Sequence, residues 1–465
     1  MNNILFYDDT IAAIATAMSP AGIGIIRISG KDAINIASKI LVDKEKNNIN
    51  ICESHKVKYA FVYDKNKNEF LDEVLVVTML KPKSYTAEDV VEIQCHGGIL
   101  ILKNILKLII SNGARLAEPG EFTKRAFLNG RIDLSKAESI TDIIMSKNDM
   151  ALKASFQKLK GNLSNTLNIF RNNILEATAF IEACLDDPEH MDINEFKSKY
   201  QNTLITINNE LKHIIDNYEN GKLIREGINT VILGEPNVGK SSLLNLLLNE
   251  ERAIVTDIAG TTRDTIKESI NLNGLTLNII DTAGIRDSKI LDKVEKIGIE
   301  KAKEEANNGD LIILMFDATK NNFDYSLLKI NPNIKKIILF NKCDLLNPNE
   351  INLLPKIKDS FVCINISTKT LLGIEELKNT ITKLFINKNI NYNDEIFISN
   401  ERELSELNKA KDSLSLVLNA IEKNVSEDFL TIDLTNTYSH LSKVLGIEIG
   451  EDLINEIFSK FCMGK

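Results

Sequence analysis

The chain has 465 residues, 43 % of them apolar and 26 % charged, a balance that excludes disordered, collagen-like and mucin-like polymers. That length allows about three domains of ordinary size. Lys plus Arg number 56 against 65 Asp plus Glu, and the formal charge of −9 excludes a body coated in phosphate-binding cations. Contact with nucleic acid must then be local or shared with a partner. The cysteines Cys52, Cys95, Cys184, Cys343, Cys363 and Cys462 form no CxxC pair, so neither a zinc site nor a disulfide framework is indicated and a reducing cytosol fits. The opening MNNILFYDDT lacks the basic and apolar regions of a signal peptide, and the longest apolar run, residues 311–316, is far too short to span a bilayer. The expectation is a cytoplasmic protein with no membrane span.

In chain order, TIAAIATAMSPAGIGIIRISG alternates apolar residues over 23–28, and DEVLVVTML and DVVEIQCHGG read as further strands, which makes residues 1–125 an α+β domain. After PGEFTKRAFLNGRIDL come long stretches without Gly or Pro, such as SKAESITDIIMSKNDMALKASFQKLK, so helices dominate residues 126–226. Across 227–388 the apolar runs TVILG, LTLNIID, LIILMFD, KIILFN and FVCINIS alternate with helical segments, the pattern of a parallel sheet in an α/β domain. Residues 389–465 are helical again and are expected to pack with the first helical segment as one bundle, leaving the α/β domain as an insertion. The fold class is therefore multidomain α/β plus α.

Gly234-Glu235-Pro236-Asn237-Val238-Gly239-Lys240-Ser241 fits the GxxxxGK[ST] pattern between a strand and the apolar helix SSLLNLLLN that begins at Ser241-Ser242. Its backbone amides would wrap phosphates, Lys240 would reach the β and γ phosphates and the Ser241 hydroxyl would ligate Mg²⁺. Three elements follow in order, each after a β run: Asp281-Thr282-Ala283-Gly284, Asn341-Lys342-Cys343-Asp344, and Ile366-Ser367-Thr368. Together they specify GTP. The Asp344 carboxylate can accept two hydrogen bonds from guanine, and adenine would leave it unpaired. Between them lies Thr256-Asp257-Ile258-Ala259-Gly260-Thr261-Thr262-Arg263-Asp264, a switch-like loop whose Thr262 can supply a second Mg²⁺ ligand.

Ile285 follows DTAG and has no polar group to orient an attacking water, so another residue must do so. Glu295, in RDSKILDKVEKIGIE, is the candidate, and a solvated helix charge is the competing reading. No arginine is marked as an internal finger. Asn237, with backbone carbonyls of the switch loop, can hold a monovalent cation at the phosphates instead; Arg263 and Arg286 are alternatives whose spacing equally suits surface charges.

GEPNVGKSSLLN, TDIAGTTRD, DTAGIRD, VEKIGIE, RISG, PGEFTKRAFLNGRIDLSKAE and the terminal Phe461-Cys462-Met463-Gly464-Lys465 together resemble the tRNA modification GTPase family MnmE, also called TrmE, over essentially the whole chain. The resemblance implies an N-terminal domain that binds a tetrahydrofolate derivative (5-formyl- or methylene-tetrahydrofolate) and dimerises, a helical domain, and a Ras-like P-loop domain inserted in it. It implies potassium as the substitute for an arginine finger, with Asn237, Thr256, Ile258 and Thr261 as ligands, and Mg²⁺ on Ser241 and Thr262. Glu295 takes the place of the water-positioning glutamate, though the spacing from DTAG is two residues longer than in relatives. Folate residues carried over in the same way are Arg27, Glu92, Arg131 and Lys465. Without the family each reads as an ion-pair member, yet one carboxylate and several cations suit a pterin edge and glutamate carboxylates. Cys462 would face the modification chemistry.

The resemblance thus implies a homodimer that, with a flavin-dependent MnmG-like partner in a heterotetramer, adds an aminomethyl or carboxymethylaminomethyl group at C5 of the wobble uridine of certain tRNAs. GTP hydrolysis would drive conformational change. The competing reading is a regulatory or ribosome-assembly GTPase switch without modification chemistry, in which the folate residues and Cys462 would be idle.

Overall fold

The computed structural model describes residues 9–186, 193–250, 267–280, 309–320, 323, 334–354, 361–385, 396–398, 400–423, 427–461 and 464. The chain divides into two compact units. The first comprises Met1–Thr141, Leu163–Ala179 and Leu434–Lys465, and the second Asp142–Asn162 and Phe180–Asp433.

The first unit begins with β1 (Ile11–Ile14), β2 (Ala21–Ser29), α1 (Ala33–Ile40), β3 (Leu41–Val42), β4 (Lys56–Asp64), β5 (Glu69–Met79), β6 (Val90–Gly97), α2 (Ile99–Ser111), β7 (Arg115–Leu116) and α3 (Glu121–Leu128). The strands form one sheet in the order β3-β4-β5-β6-β2-β1-β7. Alternation explains its two faces. On β6, Val91, Ile93 and Cys95 are buried with Ile26 and Ile28 of β2, against Ile36 and Ile40 of α1 and Leu102, Ile105 and Ile109 of α2. The residues between them therefore share the other face, where strand register sets Arg27 directly opposite Glu92. Residues of the C-terminal segment close on α3, where Lys124 Nζ donates to Asn455 Oδ1 at 2.6 Å, and on the 163–179 segment, where Arg171 donates to Ser442 Oγ and Tyr438 Oη, both at 2.9 Å.

Two helices follow in the sequence read as one helical stretch, α4 (Leu134–Met145) and α5 (Asp149–Lys160). Asn148 separates them. Its Oδ1 accepts the Ala151 amide at 2.7 Å as an N-cap, a pattern legible in SKNDMALK but passed over above. α6 (Asn162–Asp186), α7 (Ile193–Asp216) and α8 (Tyr218–Glu226) come next, and in the second unit the helix Glu401–Lys423 runs along α7. Among the described residues no helix is long and apolar enough to cross a membrane.

The second unit also holds β8 (Ile228–Gly234), α9 (Lys240–Glu250), β9 (Lys267–Leu272), β10 (Leu275–Ile280), β11 (Leu311–Asp317), β12 (Lys335–Asn341) and β13 (Val362–Asn365), in the sheet order β13-β12-β11-β8-β10-β9. Five of the strands are parallel, and β9 pairs antiparallel with β10. The expected parallel sheet thus gains an edge strand that the sequence reading missed. Its signal was Asn273-Gly274, whose φ angles of 51° and 85° make the two-residue hairpin turn. β10 and β11 are buried along their whole length because both sheet faces are covered, which accounts for their unbroken apolar runs.

Candidate functional site

The parallel strands β8, β11, β12 and β13 all end on one side, and the predicted nucleotide residues follow those carboxyl ends, the usual crevice of an open α/β sheet. The loop after β8 leaves no room for side chains at two points. A Cβ on Gly234, at φ 151°, would collide with the Met315 carbonyl, and one on Gly239, at φ 103°, with the Asn341 amide. Asn237 itself sits at φ 62°. Val238 is buried in the core, so the loop is pinned at its middle while Asn237 on one side and Ser241 and Ser242 on the other are exposed. Lys240 Nζ donates to the carbonyls of Gly234 and Glu235 at 2.6 and 2.8 Å. Burial lowers its pKa against an opposing pull from Glu235. A phosphate chain fits this cradle of amides, a desolvated ammonium and a helix N-terminus, and the Ser241 hydroxyl and Asn237 carbonyl are hard oxygen donors of the types Mg²⁺ and a monovalent cation accept.

The base side is tied to the phosphate side through Asn341, which is 1 % exposed. Its Nδ2 donates to the Val238 carbonyl at 2.7 Å, and its Oδ1 accepts the Thr368 amide at 3.1 Å. Asn341 is thus a strut between loops. Lys342, at φ 69°, donates from Nζ to Asp317 Oδ2 at 2.6 Å. Asp344 is exposed, with Oδ1 held by the Ser367 hydroxyl at 2.7 Å. That anchoring aims the carboxylate without consuming it.

A second cluster lies in the first unit. Arg27 Nε and Nη2 both meet Glu92 Oε1 at 2.8 Å, and Arg27 Nη1 donates to the Gly464 carbonyl at 3.2 Å. Tyr85 stands between the predicted cations: the guanidinium carbon of Arg27 is 4.9 Å from its ring centroid and that of Arg131 is 4.8 Å away. The Arg27 guanidinium also lies 5.6 Å from the Phe122 ring.

The motif PGEFTKRAFLNGR explains how this cluster is held. Thr123 Oγ1 is 2.9 Å from Tyr85 Oη, Asn129 Nδ2 donates to the Thr86 carbonyl at 2.7 Å, and buried Arg125 reaches Glu88 Oε1 at 3.2 Å. α3 therefore clamps the loop that presents Tyr85. Arg125 also contacts Asp9 Oδ1 at 2.6 Å and Glu121 Oε1 at 3.0 Å. One carboxylate, two guanidinium groups and a ring platform suit a planar heteroaromatic ligand bearing carboxylates.

Of the predicted site residues, Asn237, Val238, Gly239, Lys240, Ser241, Ser242, Asn341, Lys342, Asp344 and Ser367 gather around one crevice, and Arg27, Glu92 and Arg131 around Tyr85. Thr256, Asp257, Ile258, Ala259, Gly260, Thr261, Thr262, Asp281, Thr282, Ala283, Gly284, Arg286, Glu295, Cys462 and Lys465, and the alternative Arg263, lie outside the described residues. Tyr85, Thr123 and Asp317 carried no role on sequence alone: Thr123 lies within PGEFTKRAFLNGR without a chemical signal of its own, and Tyr85 and Asp317 belong to no spaced motif.

A phosphate cradle joined through a buried strut to an anchored base-loop carboxylate makes this a GTPase of the P-loop class. Residues 10–131 match the family described as GTP-binding protein TrmE N-terminus, and residues 134–462 that described as MnmE helical domain. The chain is 50 % identical over 463 residues to a tRNA modification GTPase MnmE of Lachnoclostridium phytofermentans, covering 98 % of this chain and 99 % of the relative. It is 46 % identical over 464 residues to the protein of that name from Acetivibrio thermocellus, covering 99 % and 100 %, and 42 % identical to that of Ligilactobacillus salivarius, covering 98 % of each. The chain belongs to the MnmE, or TrmE, family.

Proposed function

We propose that this protein is a potassium-dependent GTP hydrolase that acts, as a cytoplasmic homodimer assembled with a flavin-dependent MnmG-like partner, on the wobble uridine of certain tRNAs. The group added at C5 is aminomethyl or carboxymethylaminomethyl. Relatives named tRNA modification GTPases, alike over nearly the full chain, support the tRNA substrate. The observation that carries the reading is the presence in one chain of a guanine-type nucleotide crevice and the separate Arg27–Glu92–Tyr85–Arg131 cluster, which a plain binding switch would leave idle.

When bound, Mg²⁺ and K⁺ supply positive charge at the phosphates, and a tetrahydrofolate derivative supplies the one-carbon unit. The chain's own part is positional. Lys240 turns from two loop carbonyls to the phosphates, Ser241 and Thr262 hold Mg²⁺, and Asn237 with Thr256, Ile258 and Thr261 holds K⁺. Asp344 selects guanine because any base without paired donors leaves the carboxylate unsatisfied. Glu295 orients the attacking water. Arg27, Glu92, Arg131 and Lys465 hold the folate, and Cys462 faces the modification chemistry. Residues 1–125 form the folate domain, 126–226 and 389–465 the helical domain, and 227–388 the inserted nucleotide domain.

Steady-state GTP hydrolysis in matched KCl and NaCl tests the cation, with Asn237→Ala and Glu295→Ala beside the parent. A potassium dependence weakened by Asn237→Ala and a slow Glu295→Ala enzyme are expected; equal rates in both salts remove the cation mechanism. Loss of wobble modification with intact ribosome profiles is expected in a Cys462→Ser strain, and the opposite pattern favours an assembly switch.

A further inference from the structure

The turn after β11 touches both halves of the nucleotide crevice. Asp317, the last residue of the strand, pairs in register with Asn341, and two residues earlier Met315 pairs with Gly234 at the start of the phosphate loop. The Ala318 amide donates to the Asn341 carbonyl at 2.8 Å. Asp317 Oδ1 accepts the Thr319 amide at 3.1 Å and hydroxyl at 2.7 Å, which leaves Oδ2 directed at Lys342 Nζ, 2.6 Å away. Burial alone would push the Asp317 carboxyl up, but Lys342 and the two Thr319 donors together hold it below the usual carboxylate range.

Lys342 carries four flexible methylene groups, and its ammonium is the end that Asp317 fixes. With its backbone in the base loop and its tip at the end of β11, the stem spans from the base loop to the strand beside the phosphate loop. It is two-thirds covered. We propose that Asp317 is a positioning residue for purine binding: by holding the Lys342 ammonium it makes the lysine stem a fixed apolar wall against which the base lies, next to Asp344. This rests on the reading of the crevice as a guanine nucleotide site and adds the residue that orders its base half. Lys320 of the same turn pairs with Glu235 Oε2 at 2.5 Å, but both side chains are about half exposed, and such pairs contribute little in water.

The test is titration of fluorescent mant-GDP, and of inorganic pyrophosphate as its competitor, against the full-length parent, Asp317→Asn, Lys342→Met and the double variant, with Lys320→Ala as control. Asp317→Asn is close to isosteric and is expected to weaken mant-GDP binding about tenfold while leaving pyrophosphate binding and the melting temperature unchanged. In the Lys342→Met background the same change is expected to add no further loss, the signature of a residue acting through another. Lys320→Ala is expected to stay within about threefold of the parent.

Equal mant-GDP affinity of Asp317→Asn and a binding-competent parent overturns the inference. So does a parallel loss of pyrophosphate binding, which would mark a general structural role, or a full additional loss in the double variant. A parent protein that binds pyrophosphate but not mant-GDP overturns the guanine reading itself, a different and separable result.

Discussion

The Ser367 hydroxyl donates to Asp344 Oδ1 at 2.7 Å while accepting the amides of Lys369 and Thr370 at 3.3 and 3.1 Å. One fully buried serine thus closes its own turn and sets the direction of the carboxylate expected to read guanine. Ser367→Ala frees Asp344 to sample other rotamers and opens the turn. Loss of one such hydrogen bond is about 1 kcal/mol, so GDP affinity is expected to fall about fivefold, measured by fluorescence titration. Unchanged affinity would mean that Asp344 is oriented by the backbone alone.

Asn148 joins three elements of the second unit. It caps α5, and its Nδ2 donates to the Ile224 carbonyl at 3.1 Å and to Thr276 Oγ1 at 2.9 Å. Asn148→Ala removes the cap and leaves the buried Thr276 hydroxyl and Ile224 carbonyl short of a donor. The expected cost is about 2–3 kcal/mol, read as a lower urea midpoint at unchanged slope. A surface-like loss of a few tenths would contradict the burial.

Acid stability is expected to report on Glu121. Burial alone would raise its pKa, yet Arg115, the Glu118 amide and Arg125 hold the carboxyl below its ordinary 4.5. A lowered acid pKa means that the unfolded chain binds more protons in that window, so the contribution is complete above about pH 4.5 and disappears as pH falls through the lower folded value. Glu121→Gln strips buried Arg125 of a partner and is expected to cost about 3 kcal/mol at neutral pH. In urea unfolding at a series of pH values, the gap between parent and variant should narrow below pH 4.5. A gap independent of pH would place the loss in packing.

Tyr85 separates two kinds of contact. Tyr85→Phe keeps the ring beside Arg27 and Arg131 and loses only the Thr123 hydrogen bond, whereas Tyr85→Leu loses the ring face. Equilibrium dialysis with 5-formyltetrahydrofolate is expected to show roughly a fivefold loss for Phe and more than about tenfold for Leu. If both variants bind as the parent does, the ring is not part of the ligand platform.

The nucleotide loop was legible because its chemistry lies in contiguous residues: a glycine where the backbone must pass Asn341, and a lysine and serine at the next helix start. The apolar runs of β8, β10, β11 and β12 were legible for a related reason, since a sheet covered on both faces needs unbroken hydrophobic strands. Order along the chain also marked the helical segments. The interruption at Asn148 and the hairpin at Asn273-Gly274 had local signals, a cap residue and a turn pair, that a reading by apolar runs passes over.

What the sequence determined by itself is the succession of helical and α/β stretches, the phosphate and base loops and, through PGEFTKRAFLNGR and the terminal motif, the family. Only the tertiary structure decided what joins them. Strand register puts Arg27 opposite Glu92 across 65 residues, α3 clamps a loop so that Tyr85 stands between two guanidinium groups, and Asp317 meets Lys342 from a neighbouring strand end. Such partners have no characteristic spacing, because the distance between them is set by sheet order and side-chain reach rather than by the local helical or strand repeat.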